Sequence, residues 1–180
     1  MSSRGPAGPR RDIVLIGMMG AGKSAVGSRL AAQLGWTWVD SDDVIEQEAG
    51  MTVAAIFSLK GEGAFRDAES EVIEDLGRRG GPFVVSLGGG CVLRTENRTA
   101  IRRLGTVVWL RAELATLAVR VGAGQGRPLL SEPGALERLA AEREPLYAEV
   151  ADMAVDVDGL SPDEVARRLL VSMRGAIEEP

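Results

Sequence analysis

The stretch Gly17-Met18-Met19-Gly20-Ala21-Gly22-Lys23-Ser24 sets a lysine and a hydroxyl directly after a glycine-rich bend. The apolar run Ile13-Val14-Leu15-Ile16 precedes it, and a helical pattern through Val26, Leu30 and Leu34 follows. Such glycines let successive backbone N–H groups wrap an anion, and the positive end of the following helix adds to the attraction. Strand, Gly-x-x-x-x-Gly-Lys-Ser loop and helix together specify a site for nucleotide phosphates. Gly20, Ala21, Gly22, Lys23, Ser24 and Ala25 are the expected contacts, with Lys23 on the β and γ phosphates and the Ser24 hydroxyl on Mg²⁺.

A second group of chemical residues lies in Val39-Asp40-Ser41-Asp42-Asp43. Asp40 and Asp42 stand two residues apart at the carboxyl end of an expected parallel strand, where open α/β sheets bind ligands. Phosphoryl transfer needs one carboxylate for hydrated Mg²⁺ and often a second to orient the attacking hydroxyl. Helix capping by Ser41 or by either Asp is the competing reading. The strand Phe83-Val84-Val85-Ser86-Leu87 carries no acid at its end, so Ser24 and Asp40 are the expected metal ligands. It runs instead into Gly88-Gly89-Gly90, which is either a flexible turn or a backbone cradle for a small ligand.

Four arginines remain. Arg66 has Glu62 and Glu69 one helical turn to either side, and a solvated ion-pair ladder is its natural reading. Arg143 extends the apolar stripe of Leu136, Leu139 and Ala140, so its guanidinium points toward core or cleft unless Pro145 breaks the helix. Arg127 lies in a Gly-rich stretch ending at Pro133 that reads as a lid, from which it either closes on a transferring phosphate or stays solvated. Arg120 reads as an exposed helical charge. Trp36, Trp38 and Trp109 sit in or beside strands and read as core, and Cys91 as structural.

The elements that must position these groups alternate short β-branched runs with helical patterns, the signature of βαβ units and a parallel sheet. The strand candidates are 12–16, 36–39, 83–87, 106–110 and 153–157, so the expected fold class is α/β, a three-layer sandwich around a five-stranded parallel sheet. Met51 to Gly61 reads as an inserted helix, and Ser161-Pro162-Asp163-Glu164 as the capped start of the last helix. Residues 1–11, rich in Gly, Pro, Ser and Arg, read as a disordered tail before one domain over 12–180. Its substrate-binding region is expected at about 41–70 and its lid at about 121–133.

Composition narrows the chemistry. The 180 residues hold no histidine, which removes imidazole acid/base catalysis and histidine metal ligands. A net charge of −5 argues against non-specific nucleic-acid binding. The single cysteine allows no intrachain disulfide and suits a reducing, cytoplasmic compartment. No window approaches the roughly 18 apolar residues of a membrane span.

As a set, these markers resemble the shikimate kinases, small P-loop enzymes related in fold to the nucleoside monophosphate kinases. The resemblance runs through Gly17 to Ser24, Asp40-Ser41-Asp42, Gly61-Glu62 with Phe65-Arg66 and Glu69, Gly88-Gly89-Gly90, Arg127-Pro128-Leu129-Leu130 and Glu142-Arg143-Glu144-Pro145-Leu146-Tyr147. It implies that ATP phosphorylates the 3-hydroxyl of shikimate on the way to chorismate and aromatic amino acids, with one Mg²⁺ per subunit in a monomer. Asp42 would hold the reacting hydroxyl, as base or as orienting group. Arg66, Arg143 and the backbone of Gly88, Gly89 and Gly90 would bind the acceptor, while Lys23 and Arg127 would stabilise the phosphoryl group. Arg120 and the loop Asp158-Gly159-Leu160 would flank adenine, although that loop lacks the basic side chain some relatives carry. A gluconate-type kinase on the same scaffold is disfavoured by the Arg66, triple-glycine and Arg143 set, and a GTP switch by the lack of an Asn-Lys-x-Asp motif. A silent nucleotide-binding protein is disfavoured by intact Lys23, Asp42 and Arg127.

Overall fold

A computed structural model describes residues 12–79, 81–122, 128–130 and 132–178 of the chain. Arg127, the neighbouring lid residues 123–126 and the N-terminal tail lie outside the described residues. In chain order the elements are β1 Asp12–Ile16, α1 Lys23–Leu34, β2 Thr37–Asp40, α2 Ser41–Ala49, α3 Val53–Arg78, β3 Phe83–Ser86, α4 Thr95–Leu104, β4 Gly105–Arg111, α5 Leu114–Val121, α6 Ala135–Val150, β5 Met153–Asp156 and α7 Pro162–Glu178. A short 3₁₀ turn, Pro128–Leu130, precedes α6.

Five parallel strands form one sheet in the order β2-β3-β1-β4-β5. The expected α/β sheet is therefore present, with strand ends within one residue of those read from sequence. All five residues of β1 are buried, which requires covering helices on both faces. Helix α1 packs against α7 and the β1–β3 side, while α4 packs against α3, α6, β1 and β4. The chain leaves β1 toward β2 and leaves β3 toward β4 on the other side, so a crevice opens at the carboxyl ends of β1 and β3. Asp40 pairs in register with Ser86, and Ser86 with Leu15, so three strands end level at that crevice.

Local chemistry explains the boundaries. Ser161 Oγ accepts from the Glu164 backbone N–H while Glu164 Oε2 accepts from the Ser161 N–H, the expected capping box. The inserted helix does not stand apart. It continues into the next helical pattern as α3, kinked at Gly61, where φ 82° and ψ 169° leave the helical region. Pro145 does not end α6, which runs on to Val150; proline removes only the one N–H bond that would reach the carbonyl four residues back. Helix α4 has no counterpart in the sequence reading, because only Ile101 and Leu104 mark its apolar side. Trp109 is buried, and Trp36 and Trp38 are partly buried against the core. No helix among the described residues is long and apolar enough to cross a membrane.

Candidate active site

The carboxyl ends of β1, β2 and β3 open onto a cleft of about 620 Å³. Its walls include Gly20, Gly22, Lys23, Ser24, Ala25, Asp40, Asp42, Arg66, Gly88, Gly89, Gly90, Arg120 and Arg143. Of the expected site residues that are described, only the small Ala21 is absent from that lining, and it lines a neighbouring slot of about 230 Å³ together with Gly22 and Arg120. Arg127 lies outside the described residues.

On the nucleotide side, Gly20 and Gly22 adopt φ of 83° and 92°, values that L side chains rarely tolerate. Lys23 Nζ donates to the carbonyls of Gly17, at 2.8 Å, and Met18, at 3.0 Å, which ties the ammonium to the loop it follows. Ser24 Oγ donates to Asp40 Oδ2 at 2.5 Å. The other Asp40 oxygen accepts from the Asp42 N–H at 3.0 Å and caps α2, so the capping and metal readings of Asp40 use different atoms. Ser86 stands where β3 lacks an acid. It accepts from Trp38 Nε1 and donates to the Lys23 carbonyl, each at 3.0 Å, and so fixes the first turn of α1 to β2 and β3.

The opposite wall of the cleft is assembled from distant segments. Arg66 is not a solvated ladder: its side chain is 9% exposed and Glu69 only 2%. Its guanidinium pairs with Glu69 and reaches Glu62 Oε1 through Nε at 3.1 Å and Nη2 at 2.9 Å. The Arg66–Glu69 pair is buried because the Gly88–Gly90 segment, brought in by β3, closes over it, while Glu62 stays half exposed; a Cβ at Gly90 would fall 2.1 Å from Arg66 Nη1. A Cβ at Gly88 would meet Asp42 Oδ1 and Glu69 Oε1, each at 2.8 Å. None of the three glycines has a positive φ, so at Gly88 and Gly90 the nearness of side chains, not backbone freedom, excludes larger residues, whereas Gly89 leaves ordinary contact distances. Arg143 is 1% exposed, with Nη1 beside Gly89, as its place on the α6 stripe implied.

Three buried side-chain atoms in this region have no hydrogen-bond partner among the described residues: Asp42 Oδ1, Glu69 Oε1 and Arg143 Nε. Burial, with the charge of Asp40, pushes the Asp42 carboxyl above its usual range against the pull of Lys23. Burial raises Glu69 as well, opposed by Arg66. Cys91 is fully buried and its thiol is pushed up by burial, in keeping with a structural role. Tyr147, which the sequence offered only as the last residue of the marker beginning at Glu142, lies four residues after Arg143 and so on the same face of α6, fully buried and donating to the Gly89 carbonyl.

Residues 19–174 match the shikimate kinase family model. The shikimate kinase of Symbiobacterium thermophilum is 47% identical over 169 residues, covering 91% of this chain and 96% of the relative. Among solved structures, a shikimate kinase from Acinetobacter baumannii in complex with shikimate superposes with a TM-score of 0.89 at 33% identity, covering 94% of this chain and 96% of that one. A gluconokinase from Sinorhizobium meliloti, with a TM-score of 0.60 and 23% identity, shares the fold alone. The chain belongs to the shikimate kinase family.

Proposed function

We propose that this chain transfers the γ-phosphoryl group of ATP to the 3-hydroxyl of shikimate, giving shikimate 3-phosphate and ADP on the route to chorismate. One observation carries the reading: the buried side-chain atoms of the cleft that lack a partner among the described residues are one cationic donor, Arg143 Nε, and two carboxylate acceptors, Asp42 Oδ1 and Glu69 Oε1. A polyhydroxylated carboxylic acid supplies what each lacks, a carboxylate for the guanidinium and hydroxyls for the acids. A nucleoside monophosphate would set a second phosphate against buried carboxylates.

The acceptor carboxylate binds Arg143 and Arg66, with Gly88 to Gly90 beneath the ring. Asp42 receives the reacting hydroxyl and takes its proton as the hydroxyl oxygen bonds to the γ-phosphorus and the bond to the β–γ bridging oxygen breaks. The raised carboxyl pKa makes Asp42 a stronger base than an exposed aspartate. Gly20 to Ala25 supply backbone donors to the phosphates, and Lys23, with Arg127 from the lid, neutralises charge on the transferred group. Ser24 Oγ and Asp40 Oδ2 together fit one Mg²⁺, a cation bound through few protein oxygens and completed by phosphates and water. When bound, Mg²⁺ would offset phosphate charge.

Adenine lies in the slot of about 230 Å³ between Arg120 and the side formed by Val157, Leu160 and Pro162. Arg120 is held there by the carbonyls of Gly20 and Val157. The proposal takes the chain as a cytoplasmic monomer with one domain over 12–180, an acceptor region at about 41–70 and a lid at about 121–133. The test is a coupled ADP assay with Mg·ATP across shikimate, gluconate and nucleoside monophosphates. Shikimate should be strongly preferred, and preference for either of the others refutes the assignment.

A further inference from the structure

Arg143 and Tyr147 are the bulkiest of the fully enclosed side chains, and the mechanism above uses only the first. Tyr147 has 0% exposure, and its ring packs against Trp109 with centroids 5.8 Å apart. A buried tyrosine must satisfy its hydroxyl. This one donates to the carbonyl of Gly89, the middle residue of the loop beneath the acceptor. Arg143, one helical turn earlier, places Nη1 3.5 Å from the Cβ position of the same Gly89, and Met18 Sδ lies 3.7 Å from the phenol oxygen. Gly89 in turn rests on the phosphate loop, its Cβ position 3.4 Å from both the Gly17 carbonyl and the Met19 nitrogen. Burial raises the phenol far above any working pH, so the hydroxyl keeps its proton and remains a donor.

We infer that Tyr147 is a positioning residue: its hydroxyl, bonded to the Gly89 carbonyl, holds the glycine loop against α6 and so fixes its spacing from the carboxylate-binding guanidinium of Arg143 on the same helix. The inference rests on the proposed function, because the spacing matters only if an acceptor carboxylate bridges it. Packing alone would need the ring but not the oxygen. Tyr147→Phe keeps the ring, removes the oxygen, and leaves a buried carbonyl without its donor.

Steady-state kinetics and melting temperatures of the full chain, Tyr147→Phe and Trp109→Phe test this. Tyr147→Phe should raise the KM for shikimate about tenfold, the size of one lost hydrogen bond, while the KM for ATP stays within about twofold. Trp109→Phe, which disturbs the same packing but keeps the hydroxyl, should lower the melting temperature with little change in shikimate KM. The inference is overturned if Tyr147→Phe keeps the parent KM for shikimate, raises both KM values alike, or melts too low to assay. A parent chain that does not turn over shikimate refutes the functional reading instead, before any variant is compared.

Discussion

A methyl group at residue 90 probes the acceptor wall where it is tightest. The Cβ position of Gly90 is 2.1 Å from Arg66 Nη1, 2.5 Å from Cζ and 2.7 Å from Nη2. Unstrained heavy-atom contacts lie near about 3.5 Å, so Gly90→Ala obliges the guanidinium to retreat by about 1.4 Å or to swing away. Little room exists for either, because Arg66 is pinned by Glu69 on one side and by two bonds to Glu62 on the other. Glu69 is 2% exposed, and stripping a buried carboxylate of its partner costs about 3–5 kcal/mol. At about 2–4 °C per kcal/mol for a domain of this size, the melting temperature should fall by roughly 10 °C. Loss of charge-assisted bonds from Arg66 to the acceptor, worth about 1.5–3 kcal/mol, should raise the KM for shikimate about 10- to 100-fold. Gly89→Ala is the internal control. Its nearest neighbours are at 3.4–3.5 Å, so its melting temperature should change by no more than about 3 °C. Differential scanning calorimetry and the coupled ADP assay read both quantities. If Gly90→Ala keeps the parent melting temperature and KM, the Arg66–Glu69 pair is not held by this loop and the reasoning fails.

Two further substitutions separate function from stability. Asp42→Asn should lower kcat about 10²- to 10⁴-fold, the usual range for a lost general base, yet raise the melting temperature at neutral pH. The sign follows from the raised carboxyl: the folded chain binds the extra proton between the ordinary value of 3.8 and its higher folded value, so ionised Asp42 burdens the fold above that window and not below it. The stability gain should therefore shrink as pH falls through the window, and a melting temperature that drops at neutral pH would contradict it. Arg143→Met should raise the KM for shikimate about 100-fold while stability changes by less than about 1 kcal/mol, because an apolar chain of similar length relieves a buried, incompletely bonded cation. A large fall in melting temperature with an unchanged KM would mark Arg143 as structural instead.

The nucleotide half was legible because its chemistry is local. Loop, lysine, serine and the helix that orients them occupy consecutive positions, and the apolar run before Gly17 fixes β1 at Asp12–Ile16. Arg143 was legible for a similar reason, as a charge where α6 calls for an apolar side chain. Arg66 misled because its i, i+3 and i, i+4 partners look the same on a solvated helix and on a buried one. What buries Arg66 and Glu69 is a loop some twenty residues later, delivered by the pairing of β3 with β1 and β2, and helical periodicity carries no trace of that pairing. Helix α4 was missed for lack of apolar marks, and the tie from Tyr147 to Gly89 because nothing local to α6 shows which distant carbonyl a tyrosine hydroxyl will meet.

The triple glycine shows how the two halves depend on each other. Read alone, it offers either a flexible turn or a run of N–H groups. In the fold none of its residues has a positive φ, and charged groups already fill the Cβ space of two: Asp42 and Glu69 at Gly88 and Arg66 at Gly90, while Gly89 lies in ordinary contact with the phosphate loop and Arg143. Every group in that list except the phosphate loop is a charged side chain lining the cleft; Asp42, Glu69 and Arg143 each keep a buried atom without a partner among the described residues, and Arg66 pairs with Glu69. An unbonded buried polar atom costs about 1–3 kcal/mol, which a chain under selection for stability alone would have shed by apolar replacement. Their concentration around one loop, beside a phosphate cradle whose own backbone touches Gly89, means that the fold leaves its polar bonding incomplete at the place where an acceptor beside ATP would complete it.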